Sequence, residues 1–387
     1  MINRIIENKI RQLTDKFPVI SVTGPRQSGK TTLIKSMFPN YRYESLEEPD
    51  TRLYAERDPR KFLESSEKMI IDEIQRVPDL FSYIQTISDK ANINGRFILS
   101  GSQSFLLNQH ISQSLAGRVA IFNLMPLSLY ELLDYGIHVD NYEKLIYQGF
   151  YPRLYDKEIA PGDFYPNYLQ TYVEIDVRLL QNIHNLTHFI RFLKLCAGRT
   201  GQLLNLNSLS NDCGISSNTA KSWISVLEAS YIIFLLHPHH RNFNKRLVKM
   251  PKLYFTDTGL ASSLLEIHSE NQLSSHYLRG ALFENFILSE FLKTRFNSGL
   301  RKNFYFWRDN KGSEIDCIIE NNLKLTPVEI KSGNTFHKDF FRELNYWNKL
   351  SGNSPENSFV IYGGDVSRNT NEGILLRWGD ILKVPII

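Results

Sequence analysis

Phe17-Pro-Val-Ile-Ser-Val-Thr-Gly24-Pro-Arg-Gln-Ser-Gly-Lys-Thr31-Thr-Leu-Ile-Lys-Ser-Met-Phe38 joins an apolar, β-branched run to a glycine-bounded turn and then to a segment with helical apolar spacing. Its centre, Gly24 to Thr31, fits G-x-x-x-x-G-K-[ST] at every fixed position, between the strand and the helix that a phosphate-binding loop requires. The glycines let successive backbone N–H groups curl around a phosphate, and the helix N-terminus adds its positive dipole end. Gly24, Pro25, Arg26, Gln27, Ser28, Gly29, Lys30, Thr31 and Thr32 are therefore the expected nucleotide contacts. Lys30 would meet the β- and γ-phosphates, and the Thr31 hydroxyl would ligate Mg²⁺. ATP and Mg²⁺ are the expected cofactors.

Further strands read at 68–72 and 96–100, separated by a helical stretch at 79–88, so strands alternate with helices as in a parallel α/β sheet. The first of these strands ends in Asp72-Glu73, where Asp72 would hold the metal and Glu73 would polarise the attacking water. Ser102, just beyond the second, would report the γ-phosphate or simply cap a helix. Arg118 would neutralise transition-state charge on a neighbouring copy, which requires self-association, or would serve in a structural salt bridge.

At 387 residues the chain is too long for one core. Its hydrophobic content of 42% and charged content of 22% exclude wholesale disorder or a fibrous repeat. Charges interrupt the apolar start Met1 to Ile10, and no later apolar run approaches a membrane span, so no membrane association and a cytoplasmic location are expected. Cys196, Cys213 and Cys317 lack both disulfide and zinc spacing. A net charge of +4 is too small to name a nucleic-acid partner, which must be argued from local patches.

The pattern is mostly helical from Leu127 to about Arg199 and then changes to helix-turn-helix spacing, with Ala220, Trp223, Ile224 and Leu227 on the apolar face of the second helix. Its other face offers Ser217, Asn218, Lys221, Ser222 and Ser225. Strand-like segments at 231–236 and 252–255 enclose a basic stretch, 237–252, that includes Arg241, Lys245, Arg246 and Lys249 around Phe243, as in a winged helix. DNA is the expected partner of this surface, with a protein-docking winged helix or a solvated hairpin as the alternatives. A second α/β region closes the chain, with a helix from Gly280 and strands near 304–307, 314–319 and 326–331.

The stretches Gly24–Thr31, Asp72-Glu73, Ser100-Gly-Ser102 and Leu115 to Glu131 closely resemble the AAA-type prokaryotic ATPases whose C-terminal half is a domain of unknown function. So do Gly149 to Arg153, Tyr168 to Arg178, Lys252 to Gly259, Gly280 to Asn285 and Glu329 to Lys331. The resemblance covers nearly the whole chain and implies an AAA-like P-loop core (1–130), a helical lid (131–200), a winged helix (201–262) and a restriction-endonuclease-like α/β domain (263–387). In the last, Glu284 on the helix, Asp316 on one strand and Glu329 with Lys331 on one face of the next resemble a PD-(D/E)xK centre. The three carboxylates would bind Mg²⁺, and Lys331 would orient the nucleophile. The expected function is an ATP-hydrolysing ATPase acting on DNA. The alternative is a nucleotide-gated switch in a regulatory or defence assembly whose terminal domain is inert.

Overall fold

The computed structural model describes residues 2–91, 93–101, 114–172, 186–239, 248–322 and 324–387. The N-terminal sheet has the order β2-β3-β4-β1-β5, with β1 Val19–Thr23, β2 Arg42–Ser45, β3 Met69–Asp72, β4 Phe97–Gly101 and β5 Val119–Asn123. Every pairing in it is parallel. β1, β3 and β4 are buried throughout, because helices cover both faces of the sheet. Ile20, Val22, Ile34 and Ile98 pack in a cluster distinct from that of Val19, Ile71, Phe81 and Leu99. The strand alternation of β1 accounts for the split.

Beyond the sheet, the chain forms short helices, among them Leu129–Asp134, Tyr142–Gln148, Pro152–Asp156 and Pro161–Tyr172. Helices Leu186–Ala197, Leu206–Cys213 and Ser217–Ala229 follow, then an antiparallel hairpin of β6 Ile233–Leu236 and β7 Lys252–Phe255. Asn205 and Ser216 cap the second and third of these helices by accepting from Ser208 N and Thr219 N, and Gly214 ends the second in the left-handed region. The C-terminal region opens with helix Arg279–Asn297 and an antiparallel run of β8 Phe304–Arg308, β9 Glu314–Asn321 and β10 Lys324–Lys331. Helix Arg342–Ser351 then leads to β11 Phe359–Tyr362, parallel to β10, and to β12 Arg368–Thr370 and β13 Gly373–Arg377.

The connector helices, the hairpin and helix Arg279–Asn297 share one continuous core. Asp257, fully buried, is the polar joint inside it. Its carboxylate accepts from Phe150 N at 2.7 Å, Tyr165 Oη at 2.7 Å and Leu260 N at 2.9 Å, the last capping helix Thr258–Leu264. Gly149 and Gly259 flank it because the Tyr165 hydroxyl lies where their side chains would start, 1.8 and 2.2 Å from an added Cβ. Burial pushes the Asp257 carboxyl up from its ordinary value, while the three donors and Lys293 pull it back.

Residues on both sides of the 240–247 stretch line the edge of the C-terminal sheet. His239 N donates to Phe306 O at 2.7 Å, Phe306 N to His237 O at 3.2 Å and Val248 N to Arg308 O at 3.2 Å. The flanks of the expected wing thus cover the edge strand β8, whose backbone groups would otherwise be open to pairing. Residues 240–247, with Arg241, Phe243, Lys245 and Arg246, lie outside the described residues.

Asp257→Ala strands two buried backbone donors and one tyrosine hydroxyl. It should cost roughly 3 kcal/mol or more, seen as a lowered thermal midpoint; an unchanged midpoint would remove Asp257 from this role.

Candidate nucleotide site

β1 ends at Thr23 and the loop from Gly24 to Gly29 turns directly into helix Lys30–Met37. Two backbone constraints shape the turn. An added Cβ on Gly24 would lie 2.1 Å from Leu124 O, and Gly29 has φ +92°, so neither position accepts a side chain without strain. Lys30 Nζ donates to the loop carbonyls of Gly24 and Pro25 at 3.0 and 2.8 Å. Thr31 Oγ1 donates to Asp72 Oδ2 at 2.8 Å. Asp72, at the end of β3, also accepts from Tyr43 Oη at 2.8 Å and from Ser100 Oγ.

Glu73 follows with φ +54° and ψ +44°, a left-handed conformation uncommon outside glycine. Gln75 Nε2 donates to its carboxylate. Burial pushes the Glu73 carboxyl above its ordinary value, Lys30 and Gln75 pull it down, and Asp72 pushes it up again. The expected residues Lys30, Thr31, Asp72 and Glu73 therefore share one locality at the C-terminal ends of parallel strands, where open α/β sheets bind ligands.

A cavity of about 420 Å³ adjoins the loop. Ile2, Leu33, Leu127 and Pro152 give it an apolar wall, and Arg4, Arg153 and Asp156 give it charge, alongside Gln27, Ser28, Gly29 and Thr32. Apolar walls with a few charged groups suit a base and ribose beside a phosphate loop. Ser28 Oγ and Gln27 Oε1 are buried polar atoms of this loop that no described group satisfies. Hard oxygen donors at Thr31 and Asp72 fit Mg²⁺, so both ATP and the metal fit the residues present.

Three contributors were not singled out as site residues in the sequence. Arg4 is buried, pairs with Glu131 at 3.1 Å, and donates to Ser28 O at 2.9 Å and Met125 O at 2.7 Å, so it ties the loop to the connector. Arg153 enters the cavity wall because Pro152 starts its helix beside Gly29. Tyr43 is supplied by the edge strand β2, whose Arg-Tyr-Glu-Ser sequence hides any strand period. Arg118 lies elsewhere: its carbonyl accepts from Val19 N, at the opposite end of β1 from the loop. About five residues of strand, roughly 15 Å, separate the two ends. Its guanidinium is held by Asp89, Nη2 to Oδ2 at 3.0 Å. Ser102 lies outside the described residues.

In the C-terminal region, Glu284, Asp316, Glu329 and Lys331 do meet, together with Glu314 and, from the hairpin, Lys252 and Tyr254. Lys252 Nζ is 3.2 Å from Glu284 Oε1 and 2.5 Å from Glu314 Oε1. Tyr254 Oη donates to Glu284 Oε1. Asp316 Oδ2 accepts from Ile330 N at 2.8 Å and lies 3.5 Å from Lys331 Nζ, which also pairs with Glu329. Burial pushes the Glu284 and Glu329 carboxyls up, and their neighbouring lysines pull them back. Among the described residues no group of three or more His, Cys, Asp or Glu side chains is placed to hold a metal ion. These carboxylates are engaged by ammonium groups instead.

Arg4→Met leaves Glu131 buried without its partner, at a cost of about 3 kcal/mol or more. It should also weaken ATP binding by loosening the carbonyl of Ser28, which a titration with a fluorescent ATP analogue checks; full affinity with lowered stability would make Arg4 a folding residue only.

Residues 16–133 match the family described as AAA domain, and residues 139–271 and 279–381 match two domains of unknown function, the latter DUF4143. The uncharacterized protein Rv2008c of Mycobacterium tuberculosis is 30% identical over 336 residues, covering 84% of this chain and 73% of its own. An uncharacterized protein of Haemophilus influenzae is 24% identical, covering 85% and 86%. Among solved structures, the Walker-type ATPase PABY2304 of Pyrococcus abyssi has a TM-score of 0.45 at 13% identity, covering 68% of this chain and 96% of that one. No helix among the described residues is long and apolar enough to cross a membrane. At the identity and coverage of the mycobacterial relative, the chain belongs to its family, and the AAA domain matched at residues 16–133 makes it an AAA-type ATPase.

Proposed function

We propose that the chain binds and hydrolyses ATP with Mg²⁺ at the loop site. The observation that carries this reading is the convergence of Lys30, Thr31, Asp72 and Glu73. Thr31 Oγ1 and Asp72 would hold the Mg²⁺ bound with the nucleotide, which would supply charge stabilisation at the phosphoryl oxygens. Lys30 exchanges the carbonyls of Gly24 and Pro25 for phosphate oxygens. Glu73 accepts the proton of the attacking water, a task suited to a carboxylate made more basic by burial. Arg153, in the wall of the cavity, orients the nucleoside end, and Arg4 acts on the loop through the carbonyl of Ser28. Arg118, remote from this loop in its own chain, reaches a nucleotide only on a neighbouring copy and only after releasing Asp89.

Glu73→Gln should bind ATP as wild type does and turn it over about 10²-fold more slowly, whereas Lys30→Ala should lose nucleotide affinity. Equal turnover by Glu73→Gln and wild type would remove Glu73 from the base role.

We further propose that the winged-helix segment meets DNA in the cytoplasm, coupling it to the nucleotide state. Ser217, Asn218, Lys221 and Ser225 are exposed on helix Ser217–Ala229 while Trp223 and Leu227 are buried, which suits phosphate contact. Lys221→Glu should lower affinity for double-stranded DNA several-fold and reduce its salt dependence. Unchanged binding would favour a protein-docking segment.

The C-terminal order of one helix, three antiparallel strands, a helix and a parallel strand supports the nuclease-like reading of the fold, with Glu284, Asp316, Glu329 and Lys331 at the places its centre uses. The salt bridges of Lys252 and Lys331 favour the reading in which this centre does no metal chemistry as it stands. The domain then acts as an interaction module in a nucleotide-gated switch.

A further inference from the structure

Lys252 is an outlier in its own strand. β7 reads Lys-Leu-Tyr-Phe, is buried throughout, and belongs to the hairpin that follows the helix-turn-helix pair. A lysine on such a strand would ordinarily bring its ammonium to water. Here the side chain is 4% exposed and its ammonium ends between Glu284, on helix Arg279–Asn297, and Glu314, at the start of β9. Tyr254, two residues on and so on the same strand face, donates to the same Glu284 oxygen. One hairpin strand thus delivers both a cation and a hydroxyl donor to a carboxylate centre built by another region. An ammonium in so buried a place is held only by the carboxylates around it, and they in turn need a cation.

We propose that Lys252 is a resident counter-cation of the C-terminal carboxylate centre, so that insertion of the hairpin and binding of a divalent metal by Glu284 and Asp316 exclude one another. The geometry has two consequences. The centre is closed while β7 sits against helix Arg279–Asn297, and the flanks of the hairpin, bonded to β8 at Phe306 and Arg308, hold it there. Removal of the Lys252 charge leaves Glu284, Glu314 and Asp316 with a shortfall of positive charge that a divalent ion can meet. The inference rests on the nuclease-like reading of the C-terminal sheet and is independent of the ATPase reading.

Mn²⁺ binding to the full-length, nucleotide-free protein tests it, with free Mn²⁺ followed by electron paramagnetic resonance in wild type, Lys252→Met and Lys252→Met/Asp316→Asn. If the inserted state makes up nine-tenths or more of the population, apparent affinity is reduced about tenfold or more. Lys252→Met should therefore bind Mn²⁺ at least about tenfold more tightly than wild type, and the double variant should lose the gain. Lys252→Gln replaces Lys252→Met if the latter does not fold. Equal, Asp316-dependent affinity in wild type and the single variant would overturn the counter-cation role alone. Binding by neither would overturn the proposal together with the nuclease-like reading beneath it. In wild type, an Asp316→Asn-sensitive Mn²⁺ site as tight as that of an ordinary nuclease centre would contradict the proposal without any variant of Lys252.

Discussion

The buried ion pair between Arg4 and Glu131 is the constraint from which the rest of the molecule can be followed. Arg4 holds the carbonyl of Ser28 in the phosphate loop and that of Met125 after β5, while the Glu131 carboxylate accepts from Ile5 N and Ser128 N and the Glu131 backbone N–H donates to Ser128 Oγ. The next backbone donor, Leu129 N, goes to Glu290 on helix Arg279–Asn297, and Glu290 pairs with Lys293 at 2.6 Å. Lys293 lies 3.6 Å over the Phe150 ring, and Phe150 N donates to Asp257. Every charged group on this route is buried, so each needs its partner in place. The phosphate loop, the connector and the C-terminal helix are consequently joined by polar contacts as well as by their shared core. A change at Ser28 on nucleotide binding has a continuous physical route to the C-terminal half.

The parts of this account that were legible in the sequence are those in which chemistry is local. The glycines, Lys30 and Thr31 lie within one turn of chain, and Asp72 ends an apolar strand, so their meeting follows from spacing. The helix-turn-helix spacing around Cys213-Gly214 and the strands read at 304–307, 314–319 and 326–331 were legible for the same reason, the structure extending each by one or two residues. The edge strands β2 and β12 were not: β2 is polar and half-exposed, and β12 is three residues long. Arg4 was hidden because its meaning depends on Glu131, more than a hundred residues away. Arg118 was legible as an arginine for transition-state charge or a salt bridge, but only the register of β5 against β1 shows that it lies at the end away from the loop.

The carboxylate centre shows the same limit most sharply. Glu284, Asp316, Glu329 and Lys331 fit a nuclease pattern by type and order, and they do come together. A pattern of residue types does not include the cation that a different region brings to it. Lys252 read as the end of the basic stretch 237–252, and only the packing of the hairpin on helix Arg279–Asn297 explains why a charge was kept there. Fold and chemistry separate at this point.

The account stands first on the loop site being a working ATPase. The most direct measurement is phosphate release from ATP by the wild-type protein, with Mg²⁺ present and then removed by chelation. The account predicts steady turnover that requires Mg²⁺. Tight ATP binding with no phosphate release in Mg²⁺, with or without DNA, would contradict it.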